Sequence, residues 1–141
     1  MTTLVNHLQG EAVAQGVVTG EALVTSERIS FNLGVDENTG FVIERGHALE
    51  GQSIAGKVLV FAGGKGSTSS SFSLLQMVRE GRGPVAMLNL ESDAIVAAGA
   101  VLAGIPLVHR CVPDAIKTIV TGDKLCVDGT SGMVIILERH T

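Results

Sequence analysis

Lys57 to Ser71, KVLVFAGGKGSTSSS, is the stretch whose reading decides the fold. Lys57 to Ala62 is an unbroken β-rich apolar run, as expected of a strand covered on both faces. It leads into Gly63, Gly64 and Gly66, then into consecutive hydroxyl residues from Ser67 to Ser71. Beyond them Ser71, Leu74, Leu75 and Val78 recur at helical spacing, which predicts an amphipathic helix ending at Glu80-Gly81. Strand, glycine-rich turn and helix entrance, in that order, open a β-α-β unit.

Downstream, Pro84 to Leu90 supplies the next strand, and Ser92-Asp93 caps a second helix with Ile95, Gly99 and Leu102 on one face, ended by Gly104. Ile105 to Val108 follows as a third strand, so Lys57 to Val108 reads as consecutive β-α-β units with a partly parallel sheet. Pro113 and Asp114 open a brief helix reaching Val120. Lys124 to Val127, Asp128-Gly129 and Met133 to Leu137 form a strand-turn-strand element. Upstream, Glu11 to Phe31 alternates loosely, with Gly16 and Gly20 as breaks, and predicts two antiparallel strands. Ser30 to Phe41 is a long polar loop that returns to a strand at Phe41 to Ile43, and loops of this length usually carry ligand or subunit contacts. The expected fold class is α/β: a single domain over residues 1–141 with a mixed sheet whose terminal β segments pair or close a barrel-like portion.

The chain has 141 residues, of which 45% are apolar, 17% charged and 3% aromatic, with no Trp or Tyr. A core of Val, Ile, Leu and Ala punctuated by 18 glycines suits β and α/β packing better than a helical bundle. A net charge of -4 without a basic cluster speaks against nucleic acid as a partner. No stretch approaches a membrane span, and Met1 to Gly10 lacks signal-peptide features, so a cytoplasmic protein is expected. Cys111 and Cys126 are too few and too far apart for a disulfide framework or a metal site.

The chemistry concentrates at Ala62 to Ser71. Glycines ahead of a helix let backbone approach a ligand, and the amides of the first turn face an anion with the positive end of the helix dipole behind them. A carboxylate or phosphate is the expected ligand. The turn is not a nucleotide-binding P-loop, because Lys65 precedes Gly66 rather than Ser or Thr, and its spacing does not fit the dinucleotide fingerprint. Ser69, Ser70 and Ser71 read as helix caps, whereas Ser67 and Thr68 sit nearer the turn, where a hydroxyl can face ligand. A serine acting as a base needs donors or cations that stabilise its alkoxide. His47, His109, His7 and His140 have no nucleophile at a diagnostic spacing, and the Asp36-Glu37 pair reads as turn residues in an Asn/Gly-rich loop.

The stretches Ser30 to Gly40 (SFNLGVDENTG), His47 to Gly56 (HALEGQSIAG), Lys57 to Ser71, Gly83 to Leu88 (GPVAML) and Ala97 to Val108 (AAGAVLAGIPLV) together resemble the small subunit, or swivel domain, of aconitase X. The resemblance implies a swivelling β/β/α domain that closes over a separately encoded large subunit carrying an iron or iron-sulfur centre, with this chain binding no cofactor alone. It also implies a hydro-lyase active only as that complex, with the metal acting on the departing hydroxyl and a swivel-domain serine, here Ser67, taking the proton from carbon. Gly66 and Thr68 would flank that serine and hold substrate, and the loop around Asp36 would lie near the same cleft. The chain departs from the family pattern at Leu33, Glu37 and the Ala62-Gly63 pair, and at Ser69 and Ser70, where an apolar or small residue and a glycine are usual.

The resemblance offers two small hydroxy acid substrates, cis-3-hydroxy-L-proline and 5-phosphomevalonate. The low charge content, lacking a hyperthermophile signature, favours the first. Two readings of other classes stand beside a dehydratase. One is a mobile phosphohistidine domain, suggested by Ala103 to Pro106 and Thr121 to Asp123 but lacking a histidine at the glycine turn; the other is a non-catalytic anion-binding module.

Overall fold

A computed structural model describes residues 6–140 and shows a closed mixed barrel flanked by helices. In chain order the strands are β1 (His7–Ala14), β2 (Val17–Val24), β3 (Lys57–Phe61), β4 (Ala86–Asn89), β5 (Leu107–Val112), β6 (Lys124–Asp128) and β7 (Met133–Glu138). The helices are α1 (Ser70–Arg79), α2 (Ala94–Ala103) and α3 (Ala115–Thr118). Around the barrel the order is β1-β5-β4-β3-β2-β6-β7, and β7 returns to β1. β2 to β5 form the parallel portion and every other pairing is antiparallel.

The lack of alternation in KVLVFA follows from this closure. Val58 and Val60 point into the barrel, where they meet Leu8, Leu88, Val108, Leu125, Val127 and Val134. Leu59 and Phe61 point outward beneath a second layer made by Leu74 and Met77 of α1 and Val96 and Ala100 of α2. Each such fully buried side chain contributes roughly 1.5–3 kcal/mol, so an apolar residue is favoured at every position from Val58 to Phe61. The two helices touch closely at Gly99, where a β-carbon would lie 3.0 Å from Leu74 Cδ2.

Residues 25–56 connect β2 to β3 and form no named strand, yet Ile29, Phe31, Val35, Val42, Leu49 and Ile54 are all buried in the outer layer. Phe31 meets Phe61 edge to face, with centroids 5.8 Å apart at 81°, which pins the start of this connection over the end of β3.

The expected α/β class, the β-α-β succession and the closure by terminal strands are all observed. Local details differ. β1 and β2 do not pair with each other, because β1 lies between β5 and β7 while β2 lies between β3 and β6. The strand expected at Phe41 to Ile43 is reduced to isolated bridges, Val35 to Val42 and Phe41 to Ser53, since the connection packs through its own turns. On α2 the buried residues are Val96, Gly99 and Ala100, and Leu102 is exposed. That helix is apolar all round, so its sequence selects no face; the close approach at Gly99 does. Of Met1 to Gly10, read for a signal peptide, residues 1–5 lie outside the described residues. No helix among the described residues is long and apolar enough to cross a membrane.

Candidate active site

The carboxyl ends of the parallel strands β3 and β4 carry the polar residues, the usual place for ligands in such sheets. β3 runs out into Gly63 and Gly64, where Ile29 bridges Gly64 and the Arg28 guanidinium donates to the Gly64 carbonyl at 3.2 Å. Gly66 has φ +109, and a β-carbon there would lie 2.9 Å from Ser30 Oγ and 3.0 Å from Asn32 Oδ1, so only glycine fits this turn. Gly66, Ser67 and Thr68 are exposed. The turn thus brings all three predicted residues to one open surface.

The hydroxyls do not cap α1. Ser69 occupies the N-cap position, but its backbone is already helical (φ -65, ψ -15) and its side chain makes no capping bond. Ser71 Oγ donates to the Ile95 carbonyl at 2.6 Å, tying α1 to α2, and Ser70 Oγ donates to Asn32 Oδ1 at 2.9 Å. The Asn32 amide donates to Ser67 Oγ and Ser69 Oγ, each at 3.1 Å, and those two oxygens lie 2.5 Å apart. Ser30 Oγ completes the cluster by donating to Asn32 Oδ1 at 2.9 Å. The backbone N–H groups of Gly66, Ser67, Thr68 and Ser69 make no hydrogen bond among the described residues. By contrast α2 has a side-chain cap, with Asp93 Oδ1 accepting from Val96 N–H at 2.8 Å.

Two cavities flank the turn and share Lys65 and Gly66. One, of about 110 Å3, lies toward Asp93, Ile95 and Val96 of the α2 entrance; the other, of about 330 Å3, lies toward Ser30, Leu33, Gly34 and Glu44. Lys65 Nζ is held by Glu44 at 2.8 Å, so the cation of the glycine turn already has a carboxylate partner. Asp36 lines neither cavity: its Oδ1 accepts from Asn38 N–H at 2.8 Å and its carbonyl from Gly40 N–H, the bonds of a turn residue.

His47 is buried; its Nδ1 accepts from Leu49 N–H and its Nε2 donates to the Arg28 carbonyl at 2.9 Å, which makes it a core histidine. His109 Nδ1 accepts from the backbone N–H and Oγ of Ser92, the latter at 2.7 Å. Sequence reading missed that Ser-His contact because only the register of β4 against β5 brings the two together. It also missed Asn32, although the loop carrying it stands out in the sequence. Among the described residues no three His, Cys, Asp or Glu gather in a group able to hold a metal ion. Burial, with Asp114 nearby, pushes the Cys111 thiol up to about 11, and Cys126 lies on a non-adjacent strand; this donor set does not fit an iron centre.

Residues 7–136 match the aconitase X swivel domain family. Among curated relatives, a phosphomevalonate dehydratase small subunit of Methanocella arvoryzae is 46% identical over 91% of this chain and 97% of its own length. One of the same name from Methanothrix thermoacetophila is 48% identical over 88% of this chain and 90% of its own. Among solved structures, holo aconitase X of Thermococcus kodakaraensis superposes with a TM-score of 0.88 at 39% identity, covering 94% of this chain and 98% of that one.

Proposed function

This chain belongs to the aconitase X swivel domain family, and on that premise we propose that it is the small subunit of a two-subunit dehydratase acting on 5-phosphomevalonate, to which it contributes Ser67 as the base. The observation that carries the reading is the exposed Ser67 hydroxyl standing beside the open N–H groups of Gly66 to Ser69 at the entrance of α1. Such amides bind an anionic group and hold the neighbouring carbon next to the hydroxyl. Ser67 Oγ, once deprotonated, takes the proton of that carbon; the C–H electron pair becomes the second bond of the alkene as the neighbouring hydroxyl departs with a proton as water. Gly66 and Thr68 flank the substrate, and Asp36 shapes the adjoining loop. The iron or iron-sulfur centre is assigned to the large subunit, and the swivel motion of this domain closes the two halves.

The expected preference for cis-3-hydroxy-L-proline gives way to 5-phosphomevalonate. Low charge content bears on thermal stabilisation by ion pairs and says nothing about a substrate. The names of the similar chains support the phosphorylated acid, and so does the chemistry of the turn. A hydroxyproline carries an ammonium group that needs a carboxylate, whereas Glu44 here is paired with Lys65 and Asp93 caps α2. A substrate carrying a carboxylate and a phosphate instead uses N–H donors.

The test is a substrate screen of the chain reconstituted with its large subunit, reading loss of water. Turnover of 5-phosphomevalonate by the complex and none by the isolated chain are expected. Ser67→Ala should cut turnover about 10²–10⁴-fold while the complex still assembles. Activity of the isolated chain, or an active Ser67→Ala complex, would overturn the reading.

A further inference from the structure

We infer that Asn32 and Ser69 are positioning residues that hold the Ser67 oxygen as an alkoxide, so that neutral donors within this chain help prepare the base. The inference deepens the assignment of Ser67 as the base and rests on it.

The amide orientation follows from counting protons. Ser67 Oγ and Ser69 Oγ are 2.5 Å apart, so a hydrogen must lie between them. If the Asn32 amide were reversed, its oxygen would face both serines and would need both of their protons, leaving none for that contact. With Nδ2 toward them, each serine oxygen accepts one N–H at 3.1 Å, and Oδ1 uses its two lone pairs on Ser30 Oγ and Ser70 Oγ, each at 2.9 Å. Ser30 and Ser70 are buried, and Phe31 beside Asn32 is locked on Phe61, so the amide has a fixed seat.

The two serines carry two hydroxyl protons. One lies between the oxygens and the other points toward the exposed surface. When a solvent base removes the outer proton, the remaining one stays with Ser69, and the Ser67 oxygen becomes an anion accepting an N–H from Asn32 and an O–H from Ser69. Both bonds strengthen as charge develops, because charge-assisted hydrogen bonds are roughly twice as strong as neutral ones. Among the described residues no positive side chain bonds the Ser67 or Ser69 oxygen, and Lys65 is paired with Glu44. The proton later taken from substrate carbon restores the neutral pair, and the cycle balances.

The experiment compares Asn32→Leu, Ser69→Ala and Ser69→Thr in the reconstituted complex, with kcat, KM and the pH profile of kcat measured for each. Asn32→Leu should lower kcat about 10²–10³-fold, the range seen for loss of one oxyanion donor, and move the acid limb of the profile to higher pH with little change in KM. Ser69→Ala should lower kcat about tenfold with a shift of the same sign, and Ser69→Thr, which keeps the hydroxyl, should stay near the parent. Unchanged kcat, or a lower kcat with an unmoved acid limb, overturns the inference, since packing alone does not shift that limb. Should Asn32→Leu fail to assemble, the Ser69→Ala and Ser69→Thr pair decides. Full turnover by Ser67→Ala would remove the base assignment itself; a dead Ser67→Ala beside unaffected Asn32→Leu and Ser69→Ala would remove only the positioning pair.

Discussion

Two polar clusters in this molecule are built on opposite plans. Around Asp123, whose side chain is fully buried, the carboxylate accepts from Val120 N–H at 2.9 Å, His140 N–H at 2.8 Å and the Arg139 guanidinium at 3.1 Å. That knot ties the segment after α3 to the end of β7 and faces inward. Around Asn32 the members are neutral, the outer hydroxyls are exposed, and the neighbouring amides lack acceptors among the described residues. Where a cluster is closed it stabilises the fold; where it is left open it offers its donors to something else. The same contrast separates α2, capped by Asp93, from α1, at whose entrance the Ser69 and Ser70 hydroxyls turn away from the amides toward Asn32.

The contrast can be broken, beginning with its strongest arm. Asp123→Ala should lose about 3 kcal/mol, because a partly buried guanidinium and two amides are left without their carboxylate; urea unfolding measures it. Burial raises the Asp123 pKa, but the N–H groups of His140 and Val120 and the Arg139 charge outweigh it and hold the carboxyl below the ordinary range. A lowered folded pKa means that the contribution is complete above the unfolded value of about 3.9 and disappears as pH falls through the folded value. Asp123→Ala should therefore flatten the acid limb of stability against pH. Gly66→Ala comes next: at a positive φ it should cost more than about 1 kcal/mol and also slow the complex, since the β-carbon presses on Ser30 and Asn32. Asp93→Ala removes an ordinary cap and should cost about 1 kcal/mol. Ser69→Ala should change stability by less than about 0.5 kcal/mol, so that of these four variants it is the one whose loss of turnover most exceeds its loss of stability. An equal stability cost for Ser69→Ala and Asp93→Ala would erase the distinction between open and closed clusters.

Much of this architecture is legible in the sequence because its signals are local. KVLVFA, the glycines and the helical spacing after Ser71 carry β3, the turn and α1 without outside help, and the terminal apolar segments announce the strands that close the barrel. Ser67 stands out for the same reason, as the first hydroxyl past a glycine turn. The missing parts are those that depend on who meets whom across the chain. Asn32 reaches Ser67 only because Phe31 docks on Phe61, and Ser92 meets His109 only through the β4-β5 register. The serines assigned to capping illustrate the limit: their composition suits a cap, but the backbone at Ser69 is helical too early for its side chain to return to the first-turn amides. Ser69 and Ser70 are both bonded to Asn32.

The closed ring of strands has a further consequence for a polypeptide that needs a companion. Because β7 pairs with β1, the sheet has no open edge from which N–H and C=O groups could recruit a strand of another molecule. A barrel closed in this way is thereby guarded against edge-to-edge pairing with strands of other molecules.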